Sequence, residues 1–166
     1  MFSPELKALS LELGELLLAK KHVLILAESC TGGLISALMT NTAGSSAWFD
    51  SGLVTYSNQA KQDLLKVKET TLSQYGAVSE QTAMEMAIGA LQQGRSTIAA
   101  SVTGVAGPDG GTTAKPVGTV CFAWTSSEDL PSISKTYLFQ GNREQIREQS
   151  TIALLFGLKD LLNQPL

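Results

Sequence analysis

Apolar residues recur along this chain with two periods, and the alternation between them outlines the fold. Leu6, Leu9, Leu13, Leu16 and Leu17 return every three or four residues, the period of a helix with one buried face. Ser3-Pro4-Glu5 marks its start, with a capping hydroxyl, a proline at the first helical position and an acid at the positive end of the dipole. Lys20 and Lys21 close it against the negative end. Val23 to Ala27 is then an unbroken apolar run, as expected of a strand buried on both faces. Glu28-Ser29-Cys30-Thr31-Gly32-Gly33 leads into a helical pattern from Leu34 to Thr40, and Asn41 to Ser46 reads as a loop. Trp48 to Tyr56 alternates and is rich in aromatic and β-branched residues, which predicts a strand.

Ser57 caps a predicted helix from about Asn58 to Leu65, and Ser79 caps another from about Glu80 to Gln93. The second turns Ala83, Met86, Ala87, Ala90 and Leu91 inward, with Gly94 as its stop. Thr97 to Val102 predicts a strand, Gly104 to Gly118 a glycine-rich loop, and Thr119 to Thr125 and Ser134 to Phe139 two strands joined as a hairpin across Ser126 to Pro131. A last helix runs from about Arg143 to Leu162. Helices alternate with strands until the final strand pair, which predicts an α/β class, a layered α/β/α sandwich with a mixed, mostly parallel sheet. Strand order is not legible from the pattern.

Composition narrows the class. A chain of 166 residues, with no linker, repeat or low-complexity segment, is read as one domain over 1–166. It is 43% hydrophobic and 16% charged, which excludes a disordered chain. A net charge of -3 gives no electrostatic basis for binding nucleic acid. Apolar runs of strand length argue against a membrane span, and Met1 to Leu13 lacks the layout of a signal peptide. Cys30 and Cys121 are the only cysteines, so no disulfide framework is expected and a reducing, cytoplasmic setting is the default.

Four places look chemical, and three follow predicted strands, where ligands gather in open α/β sheets. At Glu28 to Gly33 a strand feeds a glycine turn and a helix, so free amides there suit a phosphate or an oxyanion, with Ser29 presented at the strand exit. Alternatively, Ser29 and Thr31 merely cap the helix. A nucleophilic serine needs a base. The only histidine, His22, lies at the opposite end of that strand, too far at about 3.3 Å per residue to pair with Ser29. Lys61, in the first turn or so of the helix capped by Ser57, is the next candidate, because the positive helix end and burial both favour its neutral form. The plain reading is a surface lysine. The Thr103 to Gly118 stretch, with Gly104 and Gly107, allows close backbone approach to a ligand, but it also fits a mobile hairpin tip. Arg143, with Arg147 one turn later, suits a bidentate phosphate grip, or else pairs with Glu144 and Glu148 in solvent.

Five segments stand in order: Ala27-Glu28-Ser29-Cys30-Thr31-Gly32-Gly33-Leu34, Val54-Thr55-Tyr56-Ser57-Asn58 with Lys61, Gly76-Ala77-Val78-Ser79, Thr103-Gly104-Val105-Ala106-Gly107-Pro108 and Lys115-Pro116-Val117-Gly118. From about His22 to Arg147 the chain thereby resembles the nicotinamide-nucleotide amidohydrolases, the C-terminal domain of the competence-damage protein CinA, in stand-alone form. The resemblance implies hydrolysis of nicotinamide mononucleotide to nicotinate mononucleotide and ammonia. It implies Ser29 as nucleophile and Lys61 as base, with Tyr56, Thr103 and Arg143 in the site, and a homodimer.

The expected chemistry has Thr31, Gly32 and Gly33 amides, helped by the Thr103 hydroxyl, holding the oxyanion. Arg143, seconded by Arg147, and the loop of Gly104 and Gly107 hold the 5′-phosphate, and Tyr56 stacks on the pyridine ring or orients Lys61. No cofactor or metal is expected, since one histidine and two scattered cysteines do not make a zinc hydrolase. The competing readings are water activated by a metal on Glu28, Asp50 and Asp109, a non-catalytic nucleotide-binding or regulatory module, and an amidase for another small carboxamide. The chain departs from the family pattern at Ala43-Gly44-Ser45-Ser46, where Pro-Gly-Ala-Ser is common, and at Ser96-Thr97, where Ala-Asp is common.

Overall fold

The computed structural model describes residues 1–128 and 130–165. Five strands form one sheet in the order β2-β1-β3-β4-β5. The all-apolar run becomes β1 (Leu24–Glu28), buried along its whole length between β2 (Phe49–Val54) and β3 (Ile98–Gly104), both parallel to it. β4 (Thr119–Ser126) pairs antiparallel with β3, and β5 (Ile133–Leu138) antiparallel with β4. β4 alone therefore runs against the other four, the mixed, mostly parallel sheet that was expected. The expected hairpin turn across Ser126 to Pro131 contains Asp129, which lies outside the described residues.

Helices cover both faces. Successive side chains of a strand point to opposite sides, so Leu24 and Leu26 join one core and Ile25 and Ala27 another. The first core lies under α1 (Pro4–Lys20), α2 (Leu34–Thr40) and α6 (Arg143–Leu162), with Leu13, Leu17, Ile35, Leu38, Leu154 and Leu158 fully buried. The second lies under α5 (Glu80–Leu91) and α3 (Asn58–Leu65), built from Leu65, Ala83, Met86, Ala87 and Ala90. Small residues along α5 let the helices approach: a Cβ at Gly89 would run into the Leu65 carbonyl. No helix among the described residues is long and apolar enough to cross a membrane.

Two elements escape the sequence pattern. Ser45–Ala47 forms a 3-10 turn inside the expected loop. α4 (Glu69–Tyr75) is a helix despite its adjacent threonines and the absence of a side-chain cap at Lys68. Its start is held from elsewhere, because Glu85 accepts from the Lys68 N–H at 2.8 Å and from Thr71 Oγ1 at 2.6 Å. Gly94 is not the stop of α5, which ends at Leu91 with Gln92 as its right-handed C-cap. Thr97 accepts from the Val23 N–H at 3.0 Å and sits 2.9 Å from His22 Nδ1 at the far end of the sheet from Ser29.

Candidate active site

Ser29 is the first residue beyond β1. Its N–H donates to Val102 O at 3.0 Å, continuing the ladder, so its side chain falls on the α3/α5 face with Ile25 and Ala27. Lys61 reaches it from α3. Ser57 fixes that helix start by accepting from the Ala60 N–H at 3.0 Å, and Lys61 and Leu65, one turn apart, point inward together. Lys61 is 1% exposed, and its Nζ lies 3.0 Å from Ser29 Oγ, 2.8 Å from Thr55 O and 3.4 Å from Tyr56 O. Among the described residues, no carboxylate pairs with it. Burial lowers its pKa from 10.5 to about 8, with the Cys30 thiol pulling weakly the other way. That thiol is itself pushed up to about 12, chiefly by burial. Protonated at neutral pH, Cys30 is no nucleophile and exerts little pull on the lysine.

The amides after Ser29 are not all free. Gly32 N–H donates to Ser29 O at 3.0 Å, closing a turn across Cys30 and Thr31, and Leu34 N–H donates to Thr31 O at 3.1 Å. Glu28, fully buried on the opposite face, takes most of the rest. Its Oε2 accepts from Thr31 Oγ1 at 2.7 Å, Gly33 N–H at 3.0 Å and Ile35 N–H at 3.2 Å. Its Oε1 accepts from Ser36 N–H at 2.8 Å and Ser36 Oγ at 2.6 Å. The expected oxyanion donors at Gly32 and Gly33 are thus already committed. From Cys30 to Ser36, the N–H groups left without a protein acceptor among the described residues are those of Cys30 and Thr31. Thr103 stands beside Ser29 on the neighbouring strand, but its hydroxyl donates to Ala77 O at 2.8 Å, so it offers lone pairs rather than a proton.

Tyr56, Gly107 and Arg143 do meet. Arg143 Nη1 donates to Gly107 O at 2.7 Å and Nη2 to the Tyr56 hydroxyl at 3.1 Å. Asn142 and Gln145 set Arg143 at the start of α6 by a reciprocal capping box. Gly141 must be glycine there: its φ is +124° and a Cβ would strike the Gln145 side chain. The Tyr56 ring is 63% exposed, and its backbone carbonyl, not its hydroxyl, is what touches Lys61. Arg147 turns elsewhere and donates to Thr31 O at 2.7 Å, bracing the turn. Neither arginine pairs with Glu144 or Glu148 among the described residues. Gly104 ends β3 and packs on Val120, and the loop beyond it is tied by Gly118 N–H to Val105 O at 2.8 Å rather than hanging free. Glu28, Asp50 and Asp109 do not gather into a metal-binding group, and both Glu28 oxygens are occupied.

Comparison with known proteins decides the family. The profile described as the CinA C-terminal domain matches residues 6–162. This chain belongs to the CinA C-terminal domain family. It is 49% identical over 164 residues to the nicotinamide-nucleotide amidohydrolase PncC of Enterobacter agglomerans, covering 99% of this chain and 98% of that protein. It is 50% identical over 153 residues to a CinA-like protein of Chloroherpeton thalassium, covering 91% of this chain and 36% of that protein. Its fold matches the crystal structure of the competence/damage inducible protein CihA from Agrobacterium tumefaciens with a TM-score of 0.94, 40% identity and 99% of both chains covered.

Within this CinA-family site, sequence reading missed Glu28 as anything but a metal ligand. The signal was present: α2 opens on Gly33 with no side-chain cap, so its amides needed an acceptor from elsewhere. It missed Thr55 as well, whose carbonyl holds Lys61 and whose own hydroxyl is buried without a hydrogen-bond partner among the described residues.

Proposed function

We propose that this protein hydrolyses the carboxamide of nicotinamide mononucleotide to nicotinate mononucleotide and ammonia, with Ser29 as nucleophile and Lys61 as base. The observation that carries the reading is the buried amine 3.0 Å from the serine hydroxyl, with no carboxylate paired with it among the described residues. The names of the PncC relatives supply the substrate.

The hydrogen-bond pattern explains how a lysine serves here as a base. A neutral amine has two hydrogens and one lone pair. Thr55 O and Tyr56 O take the hydrogens, which leaves the lone pair facing Ser29 Oγ. The serine proton moves to Nζ as the oxygen attacks the carboxamide carbon. The tetrahedral oxyanion is stabilised by the free N–H groups of Cys30 and Thr31, the first of them on the residue after the nucleophile. Lys61, now an ammonium, returns its proton to the leaving nitrogen as the C–N bond breaks, and ammonia departs. Thr103, with its proton committed to Ala77, accepts from the carboxamide N–H and so favours an amide over an acid in the site. Water, deprotonated by the same amine, then cleaves the acyl-serine ester.

Arg143 keeps three of its five N–H donors beyond those given to Gly107 and Tyr56. These hold the 5′-phosphate, and the exposed Tyr56 ring beside them offers a face to the pyridine. Binding the phosphate away from the reacting carbon positions the amide, so the nucleotide is used far better than free nicotinamide. The measurement is ammonia release from nicotinamide mononucleotide by the intact protein, Ser29→Ala and Lys61→Ala. Release that needs both side chains supports the reading. Tight nucleotide binding without turnover establishes a binding module instead, and equal use of free nicotinamide points to a different small-amide amidase.

A further inference from the structure

We propose that Glu28 is a positioning residue for the acyl transfer. Its two oxygens absorb the surplus donors of the turn and helix start, so that of the amides from Cys30 to Ser36 only those of Cys30 and Thr31 remain free among the described residues. This rests on the Ser29 acyl-transfer reading above and deepens it. From Gly32 to Ser36 each amide has an acceptor, and Glu28 supplies three of the five. The side chain comes from the last residue of β1, immediately before the nucleophile. The pleat sends it to the α2 face while Ser29 faces α3. The carboxylate therefore grips the turn from behind, on the far side of the sheet from the developing oxyanion.

The two oxygens share the task unequally. Oε1 takes both groups of Ser36 in the helix, whereas Oε2 takes Thr31 Oγ1 and Gly33 N–H in the turn together with the Ile35 N–H of the helix start. Arg147, from α6 on the same face of the sheet, meets the same turn through Thr31 O. Thr31, whose N–H is one of the two oxyanion donors, is thus held at its side chain by Glu28 and at its carbonyl by Arg147. A side chain whose two oxygens only accept suits five donors. Glutamine presents one acceptor and an NH₂ group that must face donors at one end. A freed amide in this turn would also give the oxyanion, or the substrate phosphate, a wrong place to bind.

The test compares wild type with Glu28→Gln, Thr31→Val and Ser36→Ala. It measures kcat and KM for ammonia release, the pH profile, the melting temperature, and the rate at which a fluorophosphonate labels Ser29. For Glu28→Gln, kcat and labelling fall about 10²- to 10³-fold, as for loss of an oxyanion donor, while KM stays within about threefold and the rise of rate with pH set by Lys61 is unmoved. Ser36→Ala stays within about threefold of wild type in kcat, because Oε2 still holds the turn. If Glu28→Gln does not fold, Thr31→Val carries the test, with an expected fall in kcat of about tenfold from losing one bond to Oε2.

A folded Glu28→Gln protein with a lower melting temperature but wild-type kcat and labelling overturns the proposal and leaves Glu28 a helix cap. So does Thr31→Val at full activity. Labelling does not depend on the substrate. A wild-type protein that labels at Ser29 but spares the nucleotide refutes the substrate and still tests Glu28. One that neither labels nor turns over removes the nucleophile, and Glu28's role with it.

Discussion

Lys61→Met separates the base from the scaffold, because the methionine keeps most of the side-chain volume and loses the charge. Folding lowers the lysine pKa from 10.5 to about 8 through burial. Each pH step of that fall is worth about 1.4 kcal/mol, so the protonated side chain costs the folded state about 3 kcal/mol at neutral pH. The sign follows from which state holds the proton. Below about pH 8 both states are charged and the folded one bears the whole cost. Between about pH 8 and 10.5 the folded lysine is neutral while the unfolded one is still charged, so stability climbs. Above that range the cost is gone.

Methionine has no such dependence. It also leaves Thr55 O and Tyr56 O without a donor, a pH-independent loss of about 1–3 kcal/mol. Urea unfolding of both proteins at pH 7, 8, 9 and 10 isolates the lysine, since every other titrating group cancels in the difference. Wild type gains about 2.5 kcal/mol on the variant as pH rises from 7 to 10. Parallel stability curves across that range would refute the depressed pKa. The same shift raises the neutral fraction at pH 7 from about one in 3,000 to about one in ten, which is the kinetic return on burying the group.

Other substitutions probe the neighbouring parts. Gly89→Ala places a methyl against the Leu65 carbonyl, so α3 moves off α5 with Lys61 aboard. It lowers stability by about 1–3 kcal/mol in thermal unfolding and lowers kcat more than it raises KM. Cys30→Ser keeps kcat within about threefold, because the thiol at a pKa of about 12 takes no part, and thiol reagents at neutral pH leave wild-type ammonia release unchanged. Tyr56→Phe removes the acceptor of Arg143 Nη2 and raises KM for the nucleotide by about three- to tenfold in initial-rate measurements, with kcat little altered.

Much of the fold was legible because the core repeats with clear periods. The five strands and the helices with their own caps, such as those begun by Ser3, Ser57 and Ser79, fall within a few residues of where patterning places them. α4 was hidden because its start is capped by Glu85 from another helix, a contact no local window contains. In the site, Ser29, Lys61, Gly107 and Arg143, picked out by residue type and position, lie together with Tyr56, which only the family resemblance had placed there. What the chain could not show was which amides the protein itself consumes. A strand-to-helix turn looks like five open donors until the preceding glutamate is seen to fold back over it. Arg147 was misread for the same reason, since its partner is the Thr31 carbonyl more than a hundred residues away.

The most direct test of the Ser29–Lys61 pair is kcat/KM for ammonia release from nicotinamide mononucleotide as a function of pH, from 6.5 to 10, in wild type and Lys61→Ala. Wild type should rise about tenfold per pH unit until about pH 8 and then level off, and the residual rate of the variant should lack that limb. A profile that is flat in wild type, or a limb that survives without the lysine, would contradict the assignment of the buried amine as the base.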